Sequence, residues 1–281
     1  SDFDFLKQKS KSKRVVFLGD SQTAGDASLS NDKRFSDLLS NKFGDVEFLN
    51  FAVGGFGIDQ QILAYEEYVD TFNPDIIVLS FSLLEDITRN VYRDAVVDIN
   101  GKITHLSKPY FDLEEGKLVL RNVPVKNDLV YESPKGKSGK FKDELSSLMK
   151  YSVMYSNLPL YIKSQIQSFR KRKLNKIYSN PQNPKTKHFT ALIERLIEKI
   201  NGKTLILCPL PDPRGGNPNI SPILNQLASN YHNVYHFDLN KYYDNLSTKS
   251  CWSLYTKSTR HYNELGHKLI SKIISNELIK H

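Results

Sequence analysis

Five short runs of branched and aliphatic residues alternate with longer amphipathic stretches, and this alternation constrains the fold more than any other feature of the chain. The runs are Val15–Leu18, Val46–Phe51, Ile76–Phe81, Thr204–Cys208 and Val234–Phe237. Continuous apolarity marks strands covered on both faces, and strands separated by helices pair in parallel. Helical spacing is seen over Arg34–Phe43, where Phe35, Leu38, Leu39 and Phe43 share a face, and over Ile58–Phe72, with Asp59 as its expected cap. It recurs over Phe189–Ile200, Ile223–Tyr231 and Asn263–Ile279. Right-handed crossovers between such units give an α/β, doubly wound parallel sheet. The functional crevice of that architecture lies beyond the carboxyl ends of the strands. Gly19–Ser21, Ala52–Gly57 and Ser82–Asp86 each follow a strand directly, so they are expected on one rim.

The Lys/Ser-rich residues 1–13 read as a linker, and 14–281 as a single α/β domain. A large insertion at about 90–187 interrupts the pattern. Ile103–Tyr110 and Lys117–Val125 read as a hairpin around Glu115-Gly116, and residues 143–177 as helices carrying the basic run Arg170 to Lys173. Placed between strands, the insertion reads as a lid or substrate-facing lobe. The formal net charge of +8 suits an anionic partner, or simply solvated lysine-rich faces. Few aromatics interleave with the basic run, so no nucleic-acid partner is expected; proximity to a membrane or an acidic polymer through the insert stays open. The two cysteines, Cys208 and Cys251, form no disulfide framework, and Cys208 reads as a small buried apolar residue. No metal or cofactor motif is found. No apolar run is long enough to cross a bilayer and no signal peptide is visible, which reads as cytoplasmic as given; a chain trimmed of an anchor would read the same. The oligomeric state is left open.

Three pieces carry chemistry. Phe17-Leu18-Gly19-Asp20-Ser21 is a strand running into a glycine turn and a serine near a helix start, the placement that lifts a nucleophilic hydroxyl above a sheet edge. A helix-capping serine would look the same in isolation. Asn50 to Gly57 follows the second strand, and its glycines let backbone N–H groups approach a ligand. His261 lies in Arg260-His261-Tyr262-Asn263 just before the last helix, where a base reaches the first strand only if the sheet order joins the two chain ends. His267, inside that helix, reads as a packing or surface residue.

In this order the pieces resemble the SGNH (GDSL-like) hydrolase superfamily. Gly19-Asp20-Ser21 is similar to its serine block, Asn50–Gly57 to its glycine block with Gly55 at the oxyanion position, and His261 with Asn263, Gly266 and His267 to its last block. Lys108-Pro109-Tyr110-Phe111 resembles a hairpin found in bacterial members. The resemblance implies a flavodoxin-like three-layer fold and ester hydrolysis or O-acyl transfer on a small-molecule or glycan ester. Ser21 would be nucleophile and His261 base, with the N–H groups of Ser21 and Gly55 holding the oxyanion and no cofactor.

Two departures stand out. Where the family places Gly-Asn-Asp after the third strand, this chain has Leu84-Glu85-Asp86. An ionised Glu85 would repel an oxyanion; a protonated one could donate to it, but only if buried. Where the family places an aspartate before the histidine, this chain has Ser258 and Thr259. A Ser21–His261 dyad oriented by a hydroxyl such as that of Thr259 is one consequence. Charge supplied by Glu85, or by Asp238 after the fifth strand, is another, and Asp20 is a further auxiliary candidate. A catalytically impaired module that binds an anionic glycan or acidic polymer is the alternative reading.

Overall fold

A computed structural model describes residues 5–90, 94–99, 102–125, 160–212, 217–243, 245–256 and 259–278. Strands β1 (Lys13–Gly19), β2 (Val46–Asn50), β3 (Ile76–Ser82), β8 (Thr204–Leu210) and β9 (Val234–His236) form one parallel sheet in the order β2-β1-β3-β8-β9. The chain winds outward first to one side of β1 and then to the other. This is the doubly wound α/β arrangement expected from the alternation, and its switch point lies at the C-terminal end of β1, where Ser21 follows.

Side chains alternate between two cores, as the period of a strand requires. Val16, Leu18, Ile77, Leu79, Leu205 and Leu207 face α3 (Ile58–Glu67), α6 (Pro184–Lys199) and α7 (Ser221–Asn230). Val15, Phe17, Val78, Ile206 and Cys208 face α2 (Phe35–Lys42) and α10 (Glu264–Leu278). Burying each such side chain contributes roughly 1.5–3 kcal/mol, which explains why the central strands are apolar on both faces. Burial also pushes the Cys208 thiol up to about 12, so it packs as an inert apolar group.

Several local expectations change. The helix expected over Ile58–Phe72 stops at Glu67 and a 3₁₀ turn, Val69–Phe72, follows, because Tyr68 leaves helical geometry at φ −136°. Its N-cap is Gly57; Asp59 is the second helical residue and is fully buried against Lys108 Nζ at 2.6 Å. The single expected hairpin is two. β4 (Asp94–Ile99) pairs with β5 (Lys102–Ser107), and β6 (Tyr110–Glu114) pairs with β7 (Lys117–Arg121) across Glu115 and Gly116, both at positive φ. Pro109, which has no N–H to give a ladder, separates the two. The buried Lys108–Asp59 pair fastens the start of the second hairpin to α3.

α5 (Leu160–Tyr178) carries Arg170–Lys173; the expected helical region before Leu160 lies outside the described residues. Residues 6–12, read as linker, are held in place. The Arg14 guanidinium accepts no exposure and donates to the carbonyls of Leu6, Lys7, Gln8 and Phe72, while Lys9 pairs with Asp75 at 2.7 Å. Among the described residues no helix is long and apolar enough to cross a membrane.

Candidate active site

β1 ends at Gly19, and the chain turns through Asp20 into the one-turn helix α1 (Ser21–Ala24). Gly19 cannot be larger: a Cβ there would lie 2.3 Å from Thr23 Oγ1 and 2.6 Å from the Ser80 carbonyl oxygen. That close packing seats α1 directly on β3, where Thr23 Oγ1 also meets Ser80 Oγ at 2.9 Å. Asp20 is the N-cap, its carboxylate accepting from Gln22 N at 2.8 Å. Ser21 is therefore the first helical residue, whose N–H has no acceptor within the helix.

The Ser21 hydroxyl meets His261 Nε2 at 2.7 Å. The histidine comes from the far end of the chain on a loop with several anchors. Thr256 N donates to the His261 carbonyl at 2.8 Å, and Asn263 N to the Leu254 carbonyl at 2.9 Å. Tyr262 is fully buried, and its hydroxyl and that of Tyr255 both donate to the Pro211 carbonyl beyond β8. A link missed in the sequence is Gln22. Its Nε2 donates to the Arg260 carbonyl and its Oε1 accepts from Tyr262 N, each at 3.1 Å. The residue after the serine thus grips the backbone on both sides of His261.

The glycine block stands on the same rim. Val53 N donates to the Gly19 carbonyl at 3.1 Å, and a Cβ on Gly54 would lie 3.7 Å from the Ser21 Cβ, at ordinary van der Waals contact, which sets Gly54 beside the serine. Gly55 turns at φ +85° with open space beside it. Asn50, at the start of the block, ties it to α1 and α2 through the Thr23 carbonyl and Ser36 Oγ.

The loop after β3 contributes differently from the expectation. Asp86 is fully buried and accepts from Ser82 N and Gln61 Nε2 at 3.0 Å each, and from Arg89 Nη1 at 3.1 Å. Burial, then the charge of Asp20, raises its carboxyl well above the usual range. Arg89 Nη1 also reaches Asp20 Oδ2 at 3.1 Å, so Asp20 braces the serine turn against this loop. Glu85 has a side chain 37% exposed, 3.6 Å from Arg89 Nη2. The burial that a protonated, donating Glu85 needs is absent. Asp238 accepts from Ser221 Oγ and Asn240 N.

The carboxylate beside His261 is one that sequence reasoning did not consider. Asp26 Oδ2 lies 3.3 Å from His261 Nδ1, at ion-pair distance and off the line of a hydrogen bond. Thr259 donates its hydroxyl to the same Asp26 oxygen, and Ser28 holds the other through its N–H at 2.9 Å and its hydroxyl at 2.7 Å. These hydrogen bonds, the Thr259 one foremost, bring the Asp26 carboxyl down to about 2. The available signal was Gly25-Asp26-Ala27-Ser28, an Asx-turn pattern just past the serine helix. Behind the site, His267 is fully buried, stacks on Phe35 and accepts from Phe35 N at 3.2 Å.

The architecture is shared with a solved structure described as a lipase/acylhydrolase from Enterococcus faecalis, at 14% identity over 95% of each chain with a TM-score of 0.50. The chain has the fold of the SGNH (GDSL-like) hydrolases. A member of the lipolytic G-D-S-L family from Veillonella parvula is also similar, at 12% identity over 94% of this chain and 97% of that one, TM-score 0.48. No family model matches the sequence, and no curated protein matches it. In this SGNH-fold chain the serine and the histidine stand at the switch point of the sheet, with the loop after β3 tied to the serine turn through Arg89.

Proposed function

We propose that the protein cleaves carboxylic esters with Ser21 as nucleophile and His261 as general base. The observation that carries this is the 2.7 Å contact between Ser21 Oγ and His261 Nε2, two groups 240 positions apart in sequence. A structural serine has no need of such a partner; a nucleophile does. Ser21 Oγ bonds to the ester carbonyl carbon as its proton passes to Nε2, and the carbonyl π pair moves onto oxygen. The N–H groups of Ser21 and Gly55 receive that oxyanion. Collapse breaks the carbon–alkoxy bond, and the leaving oxygen takes the proton from Nε2. Water then repeats the sequence on the acyl-serine, releasing the acid and restoring Ser21. A sugar hydroxyl in place of water makes the same residues an O-acyltransferase, so a small or glycan ester is the substrate class in either case.

The test is turnover of p-nitrophenyl acetate and of an O-acetylated sugar. Ser21→Ala is expected to lower kcat by on the order of 10⁵–10⁶-fold, to background, with the fold intact by circular dichroism. An alanine variant as active as wild type would end the reading.

A further inference from the structure

We propose that Asp26 is the acid that positions and charges His261, a role moved from beside the histidine to the loop that follows the nucleophile. The inference rests on the serine–histidine reading above and deepens it.

The first support is placement. Ser21 opens α1 and Asp26 follows its end, five positions on, and Gly25 at φ +90° turns the chain so that Asp26 faces back toward the rim. His261 enters between them, with Nε2 on Ser21 and Nδ1 on Asp26. The second support is how the carboxylate is held. Its side chain is only 7% exposed. Oδ1 is tied to Ser28 and Oδ2 is left for Thr259 and His261, so the oxygen facing the ring is fixed in direction. The third is Thr259, which stands two residues before the histidine. Its hydroxyl meets Thr256 Oγ1 at 2.5 Å and donates a hydrogen bond to Asp26. The position where the family resemblance implies an acid thus supports an acid that arrives from elsewhere. The other carboxylates weighed for this role are engaged: Asp20 with Gln22 N and Arg89, Glu85 with Arg89, Asp238 with Ser221 and Asn240.

The chemistry follows. A carboxylate at Nδ1 favours the tautomer with its proton on that nitrogen, which leaves the Nε2 lone pair facing Ser21. When Nε2 takes the serine proton the ring becomes cationic, and the adjacent negative charge stabilises it. The acid keeps its own protons off throughout; it donates no proton and forms no bond. Off-line contacts of this kind commonly tighten when substrate binds.

The test is steady-state ester hydrolysis by wild type, Asp26→Asn and the double variant Asp26→Asn/Thr259→Asp, with the ring tautomer of His261 read by nitrogen NMR in the same proteins. Asp26→Asn keeps the shape and the Ser28 turn. It is expected to lower kcat at least about 100-fold with KM changed less than threefold, and to lose the fixed Nδ1–H tautomer. The double variant puts a carboxylate at the position whose side chain now touches Asp26 Oδ2, on the Nδ1 side of the ring, with an amide at 26 to donate to it, and is expected to recover tenfold or more. Asp26→Asn within threefold of wild type, or a loss that the double variant does not relieve, would overturn the role. A wild type that holds the Nδ1–H tautomer yet turns over no ester would instead count against the proposed function and leave the Asp26 contact standing.

Discussion

Residues that act on each other through one loop set the precision of this site. Gln22 is the clearest case, because one amide serves both the Arg260 carbonyl and the Tyr262 N–H around His261. Gln22→Ala leaves two backbone groups without that partner at a point where Arg260 already sits at φ +62°, a conformation costly for a residue with a Cβ. The expected result is a stability loss of about 1–2 kcal/mol and a kcat reduced about tenfold or more, read by thermal unfolding and steady-state kinetics. At this scale the sequence showed Ser21 and His261 because each lies where a strand end or helix start exposes it. It did not show Asp26. A carboxylate was sought beside the histidine or after a strand, whereas Asp26 reaches Nδ1 through a glycine turn that closes only in three dimensions.

Among elements, the packing of α10 on α2 is expected to depend on pH. His267 sits at that junction, accepting from Phe35 N, and burial, with Arg34 adding its charge, brings its ring down to about 4 from 6.5. A base with a lowered folded-state value binds its proton in the unfolded chain first. Stability is therefore complete above about 6.5 and declines as pH falls toward 4, by up to about 3 kcal/mol. Urea unfolding of wild type and His267→Asn from pH 7.5 to 4.5 checks this. The variant starts less stable, and the gap is expected to narrow as pH falls; a constant gap would show that His267 is not the titrating group. The elements themselves were legible where apolar periodicity ran unbroken, as in β1, β3 and β8. They were less so where one residue decides the boundary: Tyr68 ending α3, or Pro109 dividing two hairpins. Asp59 reads as a helix cap until Lys108 appears beside it, and nothing local announces a partner 49 positions away.

The molecule as a whole converts chain order into a site by its sheet topology. β1 lies at the centre of the first three strands, and the crossover to β8 on the far side of β3 brings the C-terminal segment round to the rim where β1 ends. The alternation of apolar runs was enough to foresee this winding, since parallel strands and right-handed crossovers leave few other arrangements. It could not show that residues 6–8 lie fixed on Arg14, because carbonyl acceptors carry no sequence signature. What the winding achieves is a hydroxyl and an imidazole in contact, the arrangement on which the proposed reactivity rests. Intact-mass analysis after exposure to a fluorophosphonate measures that reactivity. The folded wild type should gain a single phosphonyl adduct that maps to Ser21, and His261→Ala should gain it far more slowly. A well-folded wild type that takes up no adduct, or takes it up at another serine, would contradict a nucleophile at Ser21.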